Sequence, residues 1–312
     1  MRFATGCYTG QGKGTGVTEW TLDPQSGAVQ LVRTTPVESP SWIAPHEGEI
    51  WALTEDGAPH AKITRIREGQ IRGTFELAIG QGCCHFSFVK GTLCAASYGG
   101  GKAQVGPHVF AFTGRGPVSG RQSSSHLHQA LPLLGGTAVL FTDLGGDELI
   151  QVDLAPGEIT GRLKLPAGTG PRHALQISEA ELLVLGEMDG AVHRVRLEPT
   201  GPKEVLATAV GFPDLQAPGA AASAIKHAPE AGFVVVAERA KHRLRWVRSA
   251  DLEMGKVVNL AGEGPRDFSF SPDGKWLIVA CQKSNELLVY TGGGEFLHHV
   301  PTGAPTCVAF LD

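Results

Sequence analysis

Short stretches in which apolar and polar positions alternate recur along the chain. They include GEIWALTE at 48–55, GTLCAASY at 91–98, GTAVLFTD at 136–143, AELLVLGE at 180–187, EAGFVVVAER at 230–239 and SPDGKWLIVACQ at 271–282. Alternation with a period of two is what a half-buried strand requires, and Ser-Pro-Asp-Gly at 271–274 is the chemistry of a tight turn between strands. No 12-residue window carries a helical period, and Gly or Pro interrupts nearly every one. The 42 glycines and 20 prolines are spread over the whole length, as many short strands joined by many turns demand. The pattern predicts an all-β chain.

The stretches are evenly spaced. The starts of the first strands align at Trp42, His85, His128, His173, Ala224, Asp267 and Cys307, at intervals of 43, 43, 45, 51, 43 and 40 residues. The ends of the second strands align at Glu55, Tyr98, Asp143, Glu187, Arg239 and Gln282, at intervals of 43, 45, 44, 52 and 43, with Tyr8 in the same place near the N-terminus. Both rulers put the one long interval in the same repeat. Seven anchors mean seven repeats. The last, APTCVAFLD, has only its first strand, so FATGCYTG and GVTEWTLD at the N-terminus must supply other strands of that unit. Closing a ring in this way leaves no open sheet edge. The expectation is a single domain over 1–312, a seven-bladed β-propeller of four-stranded antiparallel blades closed by pairing of its terminal strands.

In such a blade the first strand is innermost and the second runs back beside it. Strand-one starts and strand-two ends therefore share one mouth of the central channel. That ring is rich in ionisable groups: His85, His128, His173, Asp267, Glu55, Asp143, Glu187 and Arg239. Arg172 and Arg266, from the doubled Gly-Pro-Arg at 170–172 and 264–266, precede their anchors by one residue. His126 precedes His128 by two, on the same strand face by the period-two rule. A lone His at a strand start is usually a hydrogen-bonded structural residue. Several His, Arg and acids gathered at one opening need a reason, and an anionic substrate bridging the arginines supplies one. The insertion GFPDLQAPGAAAS at 211–223 reads as a longer surface loop, with a lid over the mouth as the lesser alternative.

Charge and cysteines narrow the class. The 27 basic and 31 acidic residues leave a formal net charge of −4, which disfavours nucleic acid or an anionic membrane as partner. No stretch reaches the roughly 18 apolar residues of a membrane span, and MRFATGCYTG lacks the apolar region of a secretory signal. The six cysteines at 7, 83, 84, 94, 281 and 307 have no CxxC or zinc-like spacing, so reduced, mostly buried thiols in a cytoplasmic protein are expected, and a closed propeller is expected to be a monomer.

RQSSSHLH, TDLGGDEL, GTGPRH, GEMD and GPRDFSFSPDGKWL, in this order and spacing, resemble the seven-bladed lactonase family. That family contains propeller-type 6-phosphogluconolactonases and fungal carboxymuconate-cyclising enzymes. The resemblance covers essentially the whole chain and is more specific for the family than for the substrate. It places the family's HxH histidines on His126 and His128, its GPRH pair on Arg172 and His173, its blade-closing acid on Glu187 and its later arginine on Arg239. Ala237 and Glu238 replace the usual small residue and Asn before that arginine, Ser97 stands in the Ala-Asn-Tyr-Gly motif, and Ser125 replaces the Pro before HxH.

The resemblance implies hydrolysis of a sugar lactone, foremost 6-phosphogluconolactone, without cofactor or metal. A ring ester needs an activated water, a cradle for the oxyanion and a handle for the substrate's charge. His128 or His126, with His173, is the expected base; Arg172 the oxyanion partner; Arg239 and Arg266 the anion grip; Glu187 and Asp143 the groups that orient them. Gln282, His85 and Glu55 complete the expected substrate contacts. Cyclisation of a carboxymuconate-type acid and a non-catalytic binding propeller are the alternatives. A metal-dependent lactonase ranks below them, because arginines repel a cation. Two tempting motifs are set aside. GGDEL at 145–149 resembles a nucleotide-cyclase signature but falls on a hairpin, and GQGKGTG at 10–16 lacks the Lys-Ser/Thr and helix of a phosphate loop. The five tryptophans read as packing between blades, with Trp42 able to line the channel.

Overall fold

The structure, a computed structural model, describes residues 1–10, 14–214 and 221–311. These residues form 28 strands and no helix. The strands group into seven four-stranded antiparallel sheets. The inner strands are Pro40–His46, Cys83–Val89, Leu127–Pro132, Pro171–Ser178, Ala222–His227, Pro265–Phe270 and Pro305–Phe310, here called those of blades 1 to 7. Each packs beside the next around a central channel. Blade 7 joins Pro305–Phe310 to Arg2–Cys7, Val17–Leu22 and Val29–Thr35. The alternation foresaw this closure but not its outermost strand.

The core lies between neighbouring sheets. Leu140 and Leu149 of blade 3 meet Leu182, Val184 and Val195 of blade 4, and Trp246 of blade 5 meets Leu277, Val279 and Tyr290 of blade 6. Each such side chain gains about 1.5–3 kcal/mol on burial. Trp20 and Trp276 fill the same role at the closing blade, whereas Trp42 lines the channel. All six cysteines are buried free thiols. No helix of the described residues is long and apolar enough to cross a membrane.

One local device positions the mouth. Near the start of every inner strand the pairing register slips, leaving Ser41, Cys84, His128, Arg172, Ser223 with Ala224, Arg266 and Thr306 unpaired in the ladder. A bulge sets two successive side chains toward one face instead of opposite faces. Two residues before each bulge, a carbonyl (Ser39, Gly82, His126, Gly170, Ala221, Gly264 or Ala304) accepts a hydrogen bond of 2.8–3.2 Å. The donors are the N–H groups just past the second strands, those of Glu55, Tyr98, Leu144, Glu187, Arg239, Gln282 and Tyr8 respectively. Gly170 and Gly264 have φ of 58° and 68°, a conformation open to glycine at little cost. The repeated Gly-Pro-Arg is thus a left-handed residue, a strand start and a bulged arginine, used twice.

The 145–149 turn also departs from a plain hairpin role. The buried Asp147 carboxylate accepts Gln122 Nε2 at 2.6 Å and the N–H groups of Gly168 and Gly170 at 2.8 and 2.7 Å. It ties the loop before blade 3 to the start of blade 4. In the long insertion, Phe212 is buried under the guanidinium groups of Arg243 and Arg245, and Asp214 pairs with Arg243 and Lys241. Residues 215–220, on which a lid would depend, lie outside the described residues.

Candidate active site

A cavity of about 200 Å³ opens at the mouth where the inner strands begin. Its walls are Glu55, Cys84, Tyr98, Arg121, His128, Arg172, Glu187, Arg239 and Arg266. Cys84, His128, Arg172 and Arg266 are bulge residues; Glu55, Tyr98, Glu187 and Arg239 stand at second-strand ends. Four guanidinium groups face two carboxylates, so the cavity is net cationic and suited to an anion.

Glu187 organises the cations. Its Oε2 accepts Arg172 Nη1 at 2.6 Å, while Oε1 accepts Arg121 Nη2 at 2.5 Å and lies 3.2 Å from Arg239 Nη2. Burial opposes its charge, but Arg172, Arg239 and Arg121 outweigh it and hold the carboxyl far below its ordinary range. Arg172, only 5% exposed, also donates from Nε to Ser223 O at 2.7 Å, so its fork is fixed. Arg239 donates from Nε to Ala221 O at 3.1 Å, and burial pulls its pKa down to about 10. On the far wall, Tyr8 Oη donates to Glu55 Oε2 at 2.9 Å and accepts from Arg266 Nη2 at 2.6 Å.

Three histidines run down the channel from this cavity. His128 lies at the mouth, with His173 beneath it at 5.3 Å between ring centroids. His85 lies 6.0 Å from His173, against Trp42 at 4.2 Å. Burial, reinforced by Arg172 and other cations, drives the pKa of His128 and His173 well below the usual value. Burial, with Lys226 and Arg172, brings His85 to about 3. All three imidazoles are neutral at pH 7, and a neutral imidazole accepts a proton. Burial pushes the Cys84 thiol up, out of thiolate range. Among the described residues no group of three or more His, Cys, Asp or Glu is placed to hold a metal ion.

The structure brings Glu55, His128, Arg172, Glu187, Arg239 and Arg266 to one cavity and sets His173 just below it. It moves four expected residues elsewhere. Asp143 pairs with Leu127 inside the sheet and is fully buried. Its carboxylate accepts Ser125 Oγ at 2.7 Å and the N–H groups of His126 and Gly146 at 2.8 and 3.0 Å, so it secures a loop. His126 precedes the strand and stacks on Tyr98 at 4.3 Å, donating from Nδ1 to Tyr98 O at 2.8 Å; Tyr98, not His126, lines the cavity. His85 faces the opposite end of the channel, in a pocket with Trp42, Phe88 and Lys226. Gln282 stands behind Arg266, with Oε1 3.4 Å from Nη1. The cause of the first two displacements is one residue of slip in blade 3, where His128 itself is the bulged residue and Gln129 takes the anchor place.

Arg121, Tyr98, Cys84 and Tyr8 complete the site and were not expected in it. Three had a signal. Tyr8 and Tyr98 stand on the second ruler, and Cys84 precedes its anchor as Arg172 precedes His173. Arg121 arrives on the loop tied down through Gln122; its place in RQSSSHLH, just upstream of the histidines, reads as a loop contact, and no repeat spacing puts it in the ring.

These features define a seven-bladed propeller with a cationic cavity at one mouth. A family model described as "Lactonase, 7-bladed beta-propeller" matches residues 2–310, and the chain belongs to that family. A 6-phosphogluconolactonase of Bacillus subtilis (strain 168) is 26% identical, the alignment spanning 98% of this chain and 97% of the relative. A 6-phosphogluconolactonase of Formosa agariphila is 24% identical over 91% and 90% of the two chains. Among solved structures, a protein from Lactobacillus plantarum superposes with a TM-score of 0.89 at 21% identity, covering 100% of this chain and 99% of its own. A periplasmic gluconolactonase of Pseudomonas aeruginosa gives 0.88 at 22% identity, with the same coverage. At such identities the structures speak to the fold alone.

Proposed function

We propose that this protein hydrolyses a phosphorylated sugar lactone, 6-phosphogluconolactone, to the open-chain acid. The observation that carries the reading is the cavity itself: four arginines against two carboxylates, beside a buried neutral imidazole. The curated relatives named 6-phosphogluconolactonase support the same substrate. The partner is then a small anion, the working unit a monomer, and six unpaired thiols suit a reducing compartment such as the cytoplasm.

The chemistry follows from the placement. Water attacks the lactone carbonyl carbon while His128 takes its proton. The carbonyl oxygen becomes an oxyanion facing Arg172, whose guanidinium is already oriented by Glu187 and Ser223; prepaid orientation of this kind is worth about 3–4 kcal/mol in the transition state. The ring C–O bond then breaks and the departing oxygen regains a proton from the imidazolium. Arg239, Arg266 and Arg121 hold the phosphate. Arriving negative charge also offsets the cations that depress His128, so binding makes the base stronger.

The test is proton release from freshly generated lactone, read above its spontaneous opening. The wild type should accelerate it clearly, and Arg172→Met should lose about 10²–10³-fold in kcat. A wild type that adds nothing to the spontaneous rate overturns the reading.

A further inference from the structure

Hydrolysis needs a water that bound substrate does not displace. We infer that the channel directly beneath the cavity holds it, at a site made by Ser41, Thr306 and His128; this rests on the lactonase reading. A second space of about 20 Å³ lies there, and Glu55, Cys84, His128, Arg172 and Arg266 line both it and the upper cavity. One buried water requires roughly 10–15 Å³ and two to four polar partners. The space therefore takes one water and excludes a sugar.

The partners are present. Ser41 Oγ, Thr306 Oγ1 and His128 Nδ1 are buried without a nitrogen or oxygen partner. All three residues line this space and are at least nine-tenths buried. Buried polar atoms are almost always paired, and three unpaired ones on residues that line one water-sized space mark a site. All three come from the bulges, those of blades 1, 7 and 3. The shared geometry that builds the mouth also builds this floor. The two hydroxyls can each donate to the water oxygen, leaving the water to donate to Nδ1 of the neutral imidazole.

The reaction then runs upward. The water O–H bond breaks, its proton goes to His128 Nδ1, the oxygen forms the new bond to the carbonyl carbon, and the carbonyl π pair moves to the oxygen facing Arg172. Substrate closes the mouth while the nucleophile comes from behind. Ser41 and Thr306 act as positioning residues through the water.

A high-resolution crystal structure of the substrate-free protein should show one water peak within hydrogen-bonding distance of Ser41 Oγ, Thr306 Oγ1 and His128 Nδ1. An anomalous peak there after a bromide soak would assign the space to an anion and overturn the inference, as would absence of a water peak. The pair Ser41→Ala with Thr306→Val should lose the peak and about 10–100-fold in kcat, with KM within twofold, while Thr306→Ser keeps both. Hydroxylamine supplies a readout that a general packing defect would not move. After the spontaneous background is subtracted, the flux catalysed by the wild type should form less hydroxamate per acid than spontaneous opening does, and the flux catalysed by the double variant should approach the spontaneous ratio. Normal kcat and an unchanged ratio in the double variant overturn the inference and leave the lactonase reading intact. An inactive wild type overturns the lactonase reading and the catalytic use of the water, and the water peak alone then decides the site.

Discussion

Lowering the pH from 7 to 5 should destabilise this protein far more than its net charge suggests, because His85, His128 and His173 are buried as neutral imidazoles. In the unfolded chain each titrates near 6.5. In the folded protein His85 is brought to about 3, and the other two lie well below the usual value. Below pH 6.5 the unfolded chain therefore binds protons that the folded one refuses, and stability falls as pH falls. Each group loses about 1.4 kcal/mol per pH unit, hence about 2 kcal/mol at pH 5 and about 6 kcal/mol for the three. Glu187, depressed by its arginines, acts only below the ordinary carboxyl range near pH 4.3 and stays outside this window. With a melting entropy of about 0.65 kcal/mol/K for 312 residues, Tm should drop by roughly 9 °C between pH 7 and 5. Calorimetry in buffers of different ionisation enthalpy should find about three protons taken up on unfolding at pH 5. His85→Phe, outside the substrate cavity and packed on Trp42, should lower that number by one and shorten the Tm fall by a third. A flat Tm between pH 7 and 5, or an unchanged proton count in His85→Phe, refutes the reasoning.

Two further outcomes follow from the arginine cluster. Glu187→Gln removes the charge that three guanidinium groups share, so stability should fall by about 3–5 kcal/mol, a Tm loss of roughly 5–8 °C. Inorganic phosphate at 100 times its Kd should restore about 2.7 kcal/mol; thermal scans with and without phosphate check both. Arg239→Met should cost about 10–100-fold in kcat/KM for the phosphorylated lactone, the worth of one charged hydrogen bond, and under threefold for unphosphorylated gluconolactone. An equal loss on both substrates would show that Arg239 does not hold the phosphate.

The blades and their closure were legible because a repeat carries its own ruler: alternation marks the strands, and even spacing marks the ring. What the alternation could not carry was the bulge. A period of two assigns every second residue to one face, but an unpaired residue shifts the count by one. In six blades the slip is common to every anchor and leaves their spacing unchanged. In blade 3 the motif histidine is itself the bulged residue, so even spacing puts Asp143 in the ring and His126 on a face that it does not share. Applying the one-before-anchor rule to every blade would have named Ser41, Cys84 and Thr306 alongside Arg172 and Arg266. Arg121 was beyond such reasoning, because its reach to Glu187 depends on how Asp147 and Gln122 fold a loop across two blades.

The bulges also separate two demands that most sites must satisfy together. A residue in the ladder answers to its partner strand; a bulged residue is released from that pairing, although Arg172 and Ser223 still bond across to the next blade at Ser223 O and Pro265 O. The bulges can be read as a word of seven letters, here Ser41, Cys84, His128, Arg172, Ser223, Arg266 and Thr306, one from each blade, with Cys84, His128, Arg172 and Arg266 facing the cavity and Ser41 and Thr306 the space beneath it. Changing a letter leaves the pairing of the ladder alone. The same scaffold can therefore be respelled for another ligand one blade at a time, and a designer who wants a new specificity has six channel-facing addresses at which to write it.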